Sequence, residues 1–311
     1  MTNDHGPSAS TDAGGGNAAR LGIVLMLLAI LMFAINDTLG KWLVSTYSVG
    51  QLLFIRSIAG MIVLLPLIIR AGWRTLIDVP NRRLLVGRGF LAAAEVGAFY
   101  LTVRYLPLAD TITFWMAAPI YVAALSPLLL GEKVGWRRWT AIAVGFVGVI
   151  IAMEPSSQTL SLPALVAVVG SGLFALLMIS GRALRGTSDL AMVFWPIFIS
   201  GIGGALTIPL AWTAPTGVDV AMLALLGVVA LAAHFLTNRS LSLADASVVT
   251  PYQYTLLVWA VIFGYLFFGE TPRPAMLIGG AIIVASGLYI FFRGAKLGRK
   301  AVMEPGAGPA G

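Results

Sequence analysis

Polar positions are sparse in this chain and fall at regular intervals. Between residues 21 and 293 the sequence is a series of apolar runs separated by short polar interruptions. Ten runs are read, near 21–42, 51–70, 84–105, 108–130, 138–153, 161–181, 189–212, 218–238, 245–268 and 274–293. Each is close to the roughly 20 residues a helix needs to cross a bilayer core. None alternates apolar with polar at period two, which argues against a β-barrel. The expected fold is an all-α membrane protein. The interruptions leave no room for a soluble domain. Residues 1–20, rich in Gly, Ser, Ala and Asn, read as a disordered cytoplasmic tail. Residues 294–311 read as a second cytoplasmic tail. The first apolar run lacks a basic leader and a small-residue cleavage site, so it is expected to stay as a span.

The runs repeat. Phe99–Asp110, FYLTVRYLPLAD, returns 135 residues later as His234–Asp245, HFLTNRSLSLAD, with seven of twelve positions identical. Leu-Leu-Leu-Gly-Glu ends at Glu132, and Leu-Phe-Phe-Gly-Glu ends at Glu270. The chain therefore divides into repeats at 21–153 and 154–293. Five spans per repeat is an odd number, so the second repeat must insert upside down. Ten transmembrane helices in two inverted five-helix repeats is the plan of secondary transporters that rock around a central site.

Composition sharpens this picture. Hydrophobic residues make up 59% of the chain and charged residues 11%, too few charges to coat a soluble domain of this length. With the N-terminus inside, 16 of the 20 Lys and Arg residues fall on the cytoplasmic side. Lys41, Arg104 and Arg273 fall opposite, and Arg56 lies within span 2. That bias puts both termini in the cytoplasm. The net charge of +7 sits at span ends, which suits topology and not nucleic acid. There is no Cys and only one His within a span. Thiolate chemistry and multi-His metal sites are thus excluded, and no cofactor is expected. No phosphate-binding G-x-x-x-x-G-K-[ST] loop occurs. Neither H-E-x-x-H nor G-x-S-x-G occurs, so an enzyme is not expected.

Ionisable residues within spans are costly and mark candidate chemistry. Phe33, Asn36, Asp37, Gly40 and Lys41 share one helical face, which should point into the bundle. Lys41 is expected to snorkel to the headgroups. Asp37 is equally a wall of a translocation path or a partner in interhelical hydrogen bonds. Arg56 is expected to pair with Glu95 or Asp37. Glu95, with Phe99 and Thr102 on its face, is expected to serve function, as a proton-coupling acid or as a contact for a substrate amine.

Spans 4 and 9 are counterparts, and each holds an internal proline, Pro119 and Pro251. Proline removes a backbone donor and favours a kink, so this pair is expected to mark a hinge or gating bend. The surrounding Trp115, Tyr121, Tyr252 and Trp259 would offer stacking surface, with Gln253 beside them. His234 replaces Phe99 in the second repeat. A hydrogen-bonded structural histidine is expected there, with pH sensing as the alternative.

LPLAD…LLLGE (Leu106–Glu132) and LSLAD…LFFGE (Leu241–Glu270), each followed by a Gly-rich final span, resemble the EamA branch of the drug/metabolite transporter superfamily. The Gly-rich spans are GFVGVIIAM and GGAIIVASGLYI. The resemblance implies a carrier of a small organic metabolite in a bacterial inner membrane, working by alternating access. Within the branch the chain is most similar to amino-acid exporters of the YddG type. The cargo this implies is an aromatic or hydrophobic amino acid, with a coupled proton as a possible partner. A riboflavin or nucleoside-type metabolite is the alternative.

Overall fold

The computed structural model describes residues 12–131, 134–154, 161–184 and 186–303. Among the described residues, ten helices are long and apolar enough to cross a membrane. Spans 1 to 5 are Ala18–Thr46, Val49–Ala71, Arg82–Tyr105, Leu108–Leu130 and Trp136–Met153. Spans 6 to 10 are Leu162–Gly181, Asp189–Thr207, Gly217–Leu243, Thr250–Phe268 and Pro274–Gly294.

Local chemistry sets the ends of several spans. Ser48 and Thr216 cap spans 2 and 8, accepting the backbone N–H of Gln51 and Asp219 through their hydroxyls at 3.2 Å. Spans 4 and 9 close on Gly131 (φ 66°) and Gly269 (φ 65°), in the left-handed conformation that glycine adopts without a Cβ penalty. The Gly-Glu motif is thus a matched helix stop in both repeats. Glu132 lies outside the described residues.

The packing follows a pseudo-two-fold exchange of the two repeats. Span 1 packs on span 8, as span 6 packs on span 3. Spans 2 and 8 meet, as do spans 7 and 3. Span 1 touches span 9 where span 6 touches span 4, while span 2 pairs with span 7 and span 5 with span 10. The last pair crosses glycine on glycine. A Cβ added at Gly279 would stand 2.6 Å from the Gly148 carbonyl oxygen, and one at Gly148 would stand 3.0 Å from the Gly279 oxygen. The Gly-rich final span of each repeat therefore serves close backbone approach in lipid. The outward faces are apolar, with Ile69, Leu128 and Leu210 at 72%, 81% and 84% exposure.

The first helix extends beyond the expected tail and begins at Asp12, and the last runs to Met303. Residues 12–20 are therefore helical where disorder was expected. Ala18, Ala19 and Arg20 favour helix, whereas Gly14–Gly16 and Asn17 do not, so propensity accounts for only the last part of this extension. The remainder of both expected tails lies outside the described residues.

Candidate functional site

The shared face of span 1 points inward and organises a polar centre. Asn36 is buried and donates through Nδ2 to the Leu226 carbonyl of span 8 at 2.8 Å. Gly40 receives the Tyr100 ring of span 3, since a Cβ there would sit 2.3 Å from Tyr100 Cε1. Phe33 meets His234 edge-on, with ring centroids 5.0 Å apart. Asp37 is half-buried between these residues. Among the described residues it makes no hydrogen bond or ion pair, although the charges of Arg56 and Glu95 reach it.

Arg56 does not form the expected ion pair. Its Nη1 donates to the Tyr100 hydroxyl at 2.9 Å, and its guanidinium lies 5.4 Å from that ring's centroid. The hydroxyl in turn donates to Asn36 Oδ1 at 3.4 Å. A phenol that can accept from the guanidinium and also pack against it replaces the carboxylate as partner. Tyr100 is the hub of spans 1, 2 and 3 that the sequence did not flag, and its place beside Phe99 in an apolar run gave no polar signal.

Glu95 is buried and accepts from Trp115 Nε1 at 2.6 Å. Trp115 is itself buried, packs against Gly170 of span 6, and meets Phe99 edge-on at 5.2 Å. Tyr121 packs edge-on to Phe146 of span 5 at 5.3 Å. Phe33, Tyr252 and Trp259 gather around Met26, Ile30 and Val249 where span 1 faces span 9. Gln253 shares the turn with Tyr252 and is half-buried. Two aromatic groups thus flank the polar centre: Phe99, Tyr100 and Trp115 on one side, Phe33, Tyr252, Trp259 and His234 on the other. Tyr121 packs against the same apolar core as Phe99, Tyr100 and Trp115.

His234 departs from expectation. It is exposed, its ring meets Phe33, and among the described residues it makes no hydrogen bond. Thr237, expected as a neighbour, turns its hydroxyl to the Ala233 carbonyl at 2.9 Å. The backbone of its own helix thus satisfies the group that could have held the imidazole.

Spans 4 and 9 break where their prolines predict. Span 4 is two helices, Leu108–Met116 and Ala118–Leu130, with Pro119 opening the second. In span 9 a 3-10 turn over Thr250–Tyr254 contains Pro251, and the α-helix resumes at Thr255.

At one end of the bundle ion pairs bridge the segments around the centre. Lys41 Nζ lies 2.6 Å from Glu270 Oε1 and donates to the Leu106 carbonyl at 2.6 Å. Lys41 therefore does not snorkel, because Glu270 and a free carbonyl satisfy its ammonium inside the bundle. Glu270 Oε2 accepts the Leu108 N–H at 2.8 Å, at the start of span 4, where a carboxylate is favoured by the helix dipole. Arg273 pairs with Asp110 at 2.7 Å and also with Glu154. Nearby, Tyr47 donates to Asp219 Oδ2 at 2.7 Å. That hydrogen bond is the main cause of its phenol titrating above the ordinary value. At the other end Arg88 ties span 3 to span 6, donating to the Leu177 carbonyl and to Ser180 Oγ.

A cleft of about 310 Å³ between spans 2 and 7 is lined by Phe54, Ile58, Ile62, Phe198 and other mostly apolar side chains. It lies apart from the polar centre, on a face where Ile58, Ile62 and Phe198 are exposed. Among the described residues no group of acids and histidines could hold a metal ion.

Known proteins resemble this chain in sequence and in fold. The S-adenosylmethionine uptake transporter of Rickettsia bellii is 28% identical, over 88% of this chain and 94% of that protein. The riboflavin transporter of Rhizobium johnstonii is also 28% identical, over 88% and 91%. An uncharacterized transporter of Helicobacter pylori is 30% identical, over 88% and 95%. A solved structure, described only as the crystal structure of a protein, superposes with a TM-score of 0.55 at 16% identity, covering 90% of this chain and 99% of that one. It shares the fold. The relatives with a named cargo are transporters of S-adenosylmethionine and of riboflavin, and they do not single out amino-acid exporters within the family. The EamA-like transporter family matches residues 20–153 and 161–292, and the chain belongs to that family, whose named relatives carry small metabolites across membranes.

Proposed function

We propose that the carrier moves a small zwitterionic metabolite with an amino-acid head group, by alternating access around the polar centre. A free aromatic or hydrophobic amino acid fits this description, and so does S-adenosylmethionine. The observation that carries the proposal is Asp37, a half-buried carboxylate that makes no hydrogen bond or ion pair among the described residues. An unpaired charge inside a span is costly, and a cargo ammonium would relieve that cost. Arg56 spends one N–H on Tyr100 and keeps others to meet a cargo carboxylate. Asn36 adds a polar wall. Phe33, Tyr252 and Trp259 give an apolar or aromatic side group a surface, with Gln253 at its edge. Glu95 is the proposed carrier of any coupled proton, and Phe99 and Trp115 support it. Pro119 and Pro251 are the proposed bends. Tyr121 stays on the outer edge of the site.

The proposed setting is the inner membrane of a bacterium with both termini in the cytoplasm, from the bias of 16 basic residues against three. Net direction, export included, then follows the combined gradients of the cargo and of any coupled proton. Riboflavin, the cargo named for one relative, is the second reading. The aromatic group around Phe33 favours it, and it has no ammonium to meet Asp37.

Counterflow in proteoliposomes separates the two. Vesicles preloaded with amino acids, S-adenosylmethionine or riboflavin receive the labelled compound outside. Accumulation of an amino-acid-type cargo, lost about tenfold or more in Asp37→Asn, is expected. Accumulation of riboflavin alone, unchanged in Asp37→Asn, would replace the cargo.

A further inference from the structure

The short link between spans 9 and 10 carries both Glu270 and Arg273. Glu270 reaches Lys41 in span 1 and the Leu108 N–H at the start of span 4. Arg273 reaches Asp110 in span 4 and Glu154 at the end of span 5. Every one of these contacts joins the second repeat to the first or to its end. The link is built to reach back. Gly269 turns left-handed at φ 65°, and the Glu270 N–H donates to the Gly264 carbonyl at 3.0 Å. The carboxylate is thereby fixed toward the bundle.

We propose that this link is a latch holding the Lys41 end of the carrier shut, with Glu270 clasping Lys41 and the start of span 4, and Arg273 clasping Asp110 and Glu154. Cargo passes this end only after the clasps part. The inference rests on the alternating-access reading and gives it a gate. Lys41 and Glu270 expose only 12% and 20% of their side chains. Water screens their attraction less than it would an exposed pair's, and parting them before water reaches either charge is costly, which holds the end closed more firmly than an exposed pair would. Thr102 lies one turn below Leu106, whose carbonyl Lys41 also holds. The Thr102 hydroxyl is fully buried and has no hydrogen-bond partner among the described residues. Opening at this end would give that hydroxyl water.

Because the chain has no Cys, Thr102→Cys makes a single-site reporter of opening. Its rate of alkylation by an impermeant maleimide, supplied on both sides of proteoliposomes, reads how often this end opens. Lys41→Met and Glu270→Gln should each raise that rate about fivefold or more. Glu270→Ala should exceed Glu270→Gln, because it also strips the acceptor from the Leu108 N–H. Arg273→Gln, at a side chain 40% exposed, supplies a second variant at a site more tolerant of change. Unchanged alkylation in the folded variants would overturn the latch. Alkylation needs no cargo. Faster alkylation without counterflow of any compound would thus sink the cargo proposal and leave the latch standing.

Discussion

Trp115 Nε1 donates to Glu95 Oε1 at 2.6 Å, and both side chains are buried. The carboxylate that looked most available for cargo is therefore already held from span 4. Glu95→Gln keeps an acceptor for the indole, so its stability should stay within about 1 kcal/mol of wild type. Trp115→Phe removes the one donor that Glu95 has among the described residues and leaves a buried carboxyl unsatisfied, so it should cost about 1–3 kcal/mol. Thermal unfolding in detergent reads both. Counterflow adds the functional half. A Glu95 that carries the coupled proton loses pH-driven accumulation as Gln while keeping exchange. Equal accumulation in both proteins would make Glu95 a strut for Trp115.

Much of this molecule was legible in its sequence because the bilayer imposes lengths and periodicities that survive without tertiary context. Ten spans, two repeats, the inward face of span 1 and the breaks at Pro119 and Pro251 all follow from spacing. What failed was partner choice. Lys41 was placed among the headgroups because its partner, Glu270, is 229 residues away. Local pattern cannot see such a pair. One signal was present all the same. Phe33-Ala34 and Gly40-Lys41 recur as Phe174-Ala175 and Gly181-Arg182. A cation at the same phase of both repeats suggests a built position rather than a loose surface charge. Arg56 was given an acid because charge is the visible attribute in a sequence. Tyr100 was passed over because a phenol in an apolar run reads as packing.

The Arg56–Tyr100–Asn36 chain makes its own prediction. Tyr100→Phe keeps the ring against Gly40 and the cation over it, and removes only the hydroxyl. The expected loss is about 1–3 kcal/mol of stability, since the hydroxyl both accepts from Arg56 and donates to Asn36, with weaker cargo binding because Arg56 is no longer aimed. Arg56→Lys should not substitute, since an ammonium lacks the planar guanidinium that donates to the hydroxyl and lies against the ring. Cargo titration of intrinsic Trp fluorescence reads the affinity. Wild-type affinity in Tyr100→Phe would remove Tyr100 from the positioning of Arg56.

Close backbone approach gives a sharper test of the packing. A Cβ at Gly227 of span 8 would stand 2.2 Å from the Arg56 carbonyl oxygen and 3.2 Å from the Gly60 nitrogen, both backbone atoms. Neither can swing aside as a side chain would. Gly227→Ala should therefore push spans 2 and 8 apart and cost about 1–3 kcal/mol, shifting Arg56 with them. Gly203 of span 7 has nothing within 4 Å of such a Cβ. Gly203→Ala should be neutral or stabilising by up to about 1 kcal/mol through helix propensity. Similar unfolding midpoints for the two variants would show that the span 2–8 contact relaxes freely.

The paired breaks in spans 4 and 9 bear on how the halves move. In span 4 the Ala117 N–H turns back to the Phe114 and Trp115 carbonyls, and Pro119 has no N–H to offer Trp115. In span 9 the Thr255 N–H turns to the Tyr252 and Gln253 carbonyls after the turn that holds Pro251. Pro119→Ala and Pro251→Ala each restore a donor and let the α-helix run on. Both variants should unfold at or above the wild-type midpoint. Both should exchange cargo about tenfold more slowly, because a continuous helix has lost the place where it bends. Pro127 supplies the control, since it lies inside the second helix of span 4 without breaking it. Pro127→Ala should exchange within about twofold of wild type. Wild-type rates in Pro119→Ala and Pro251→Ala, from protein of normal helical content, would reduce the two breaks to packing features and move the bend elsewhere.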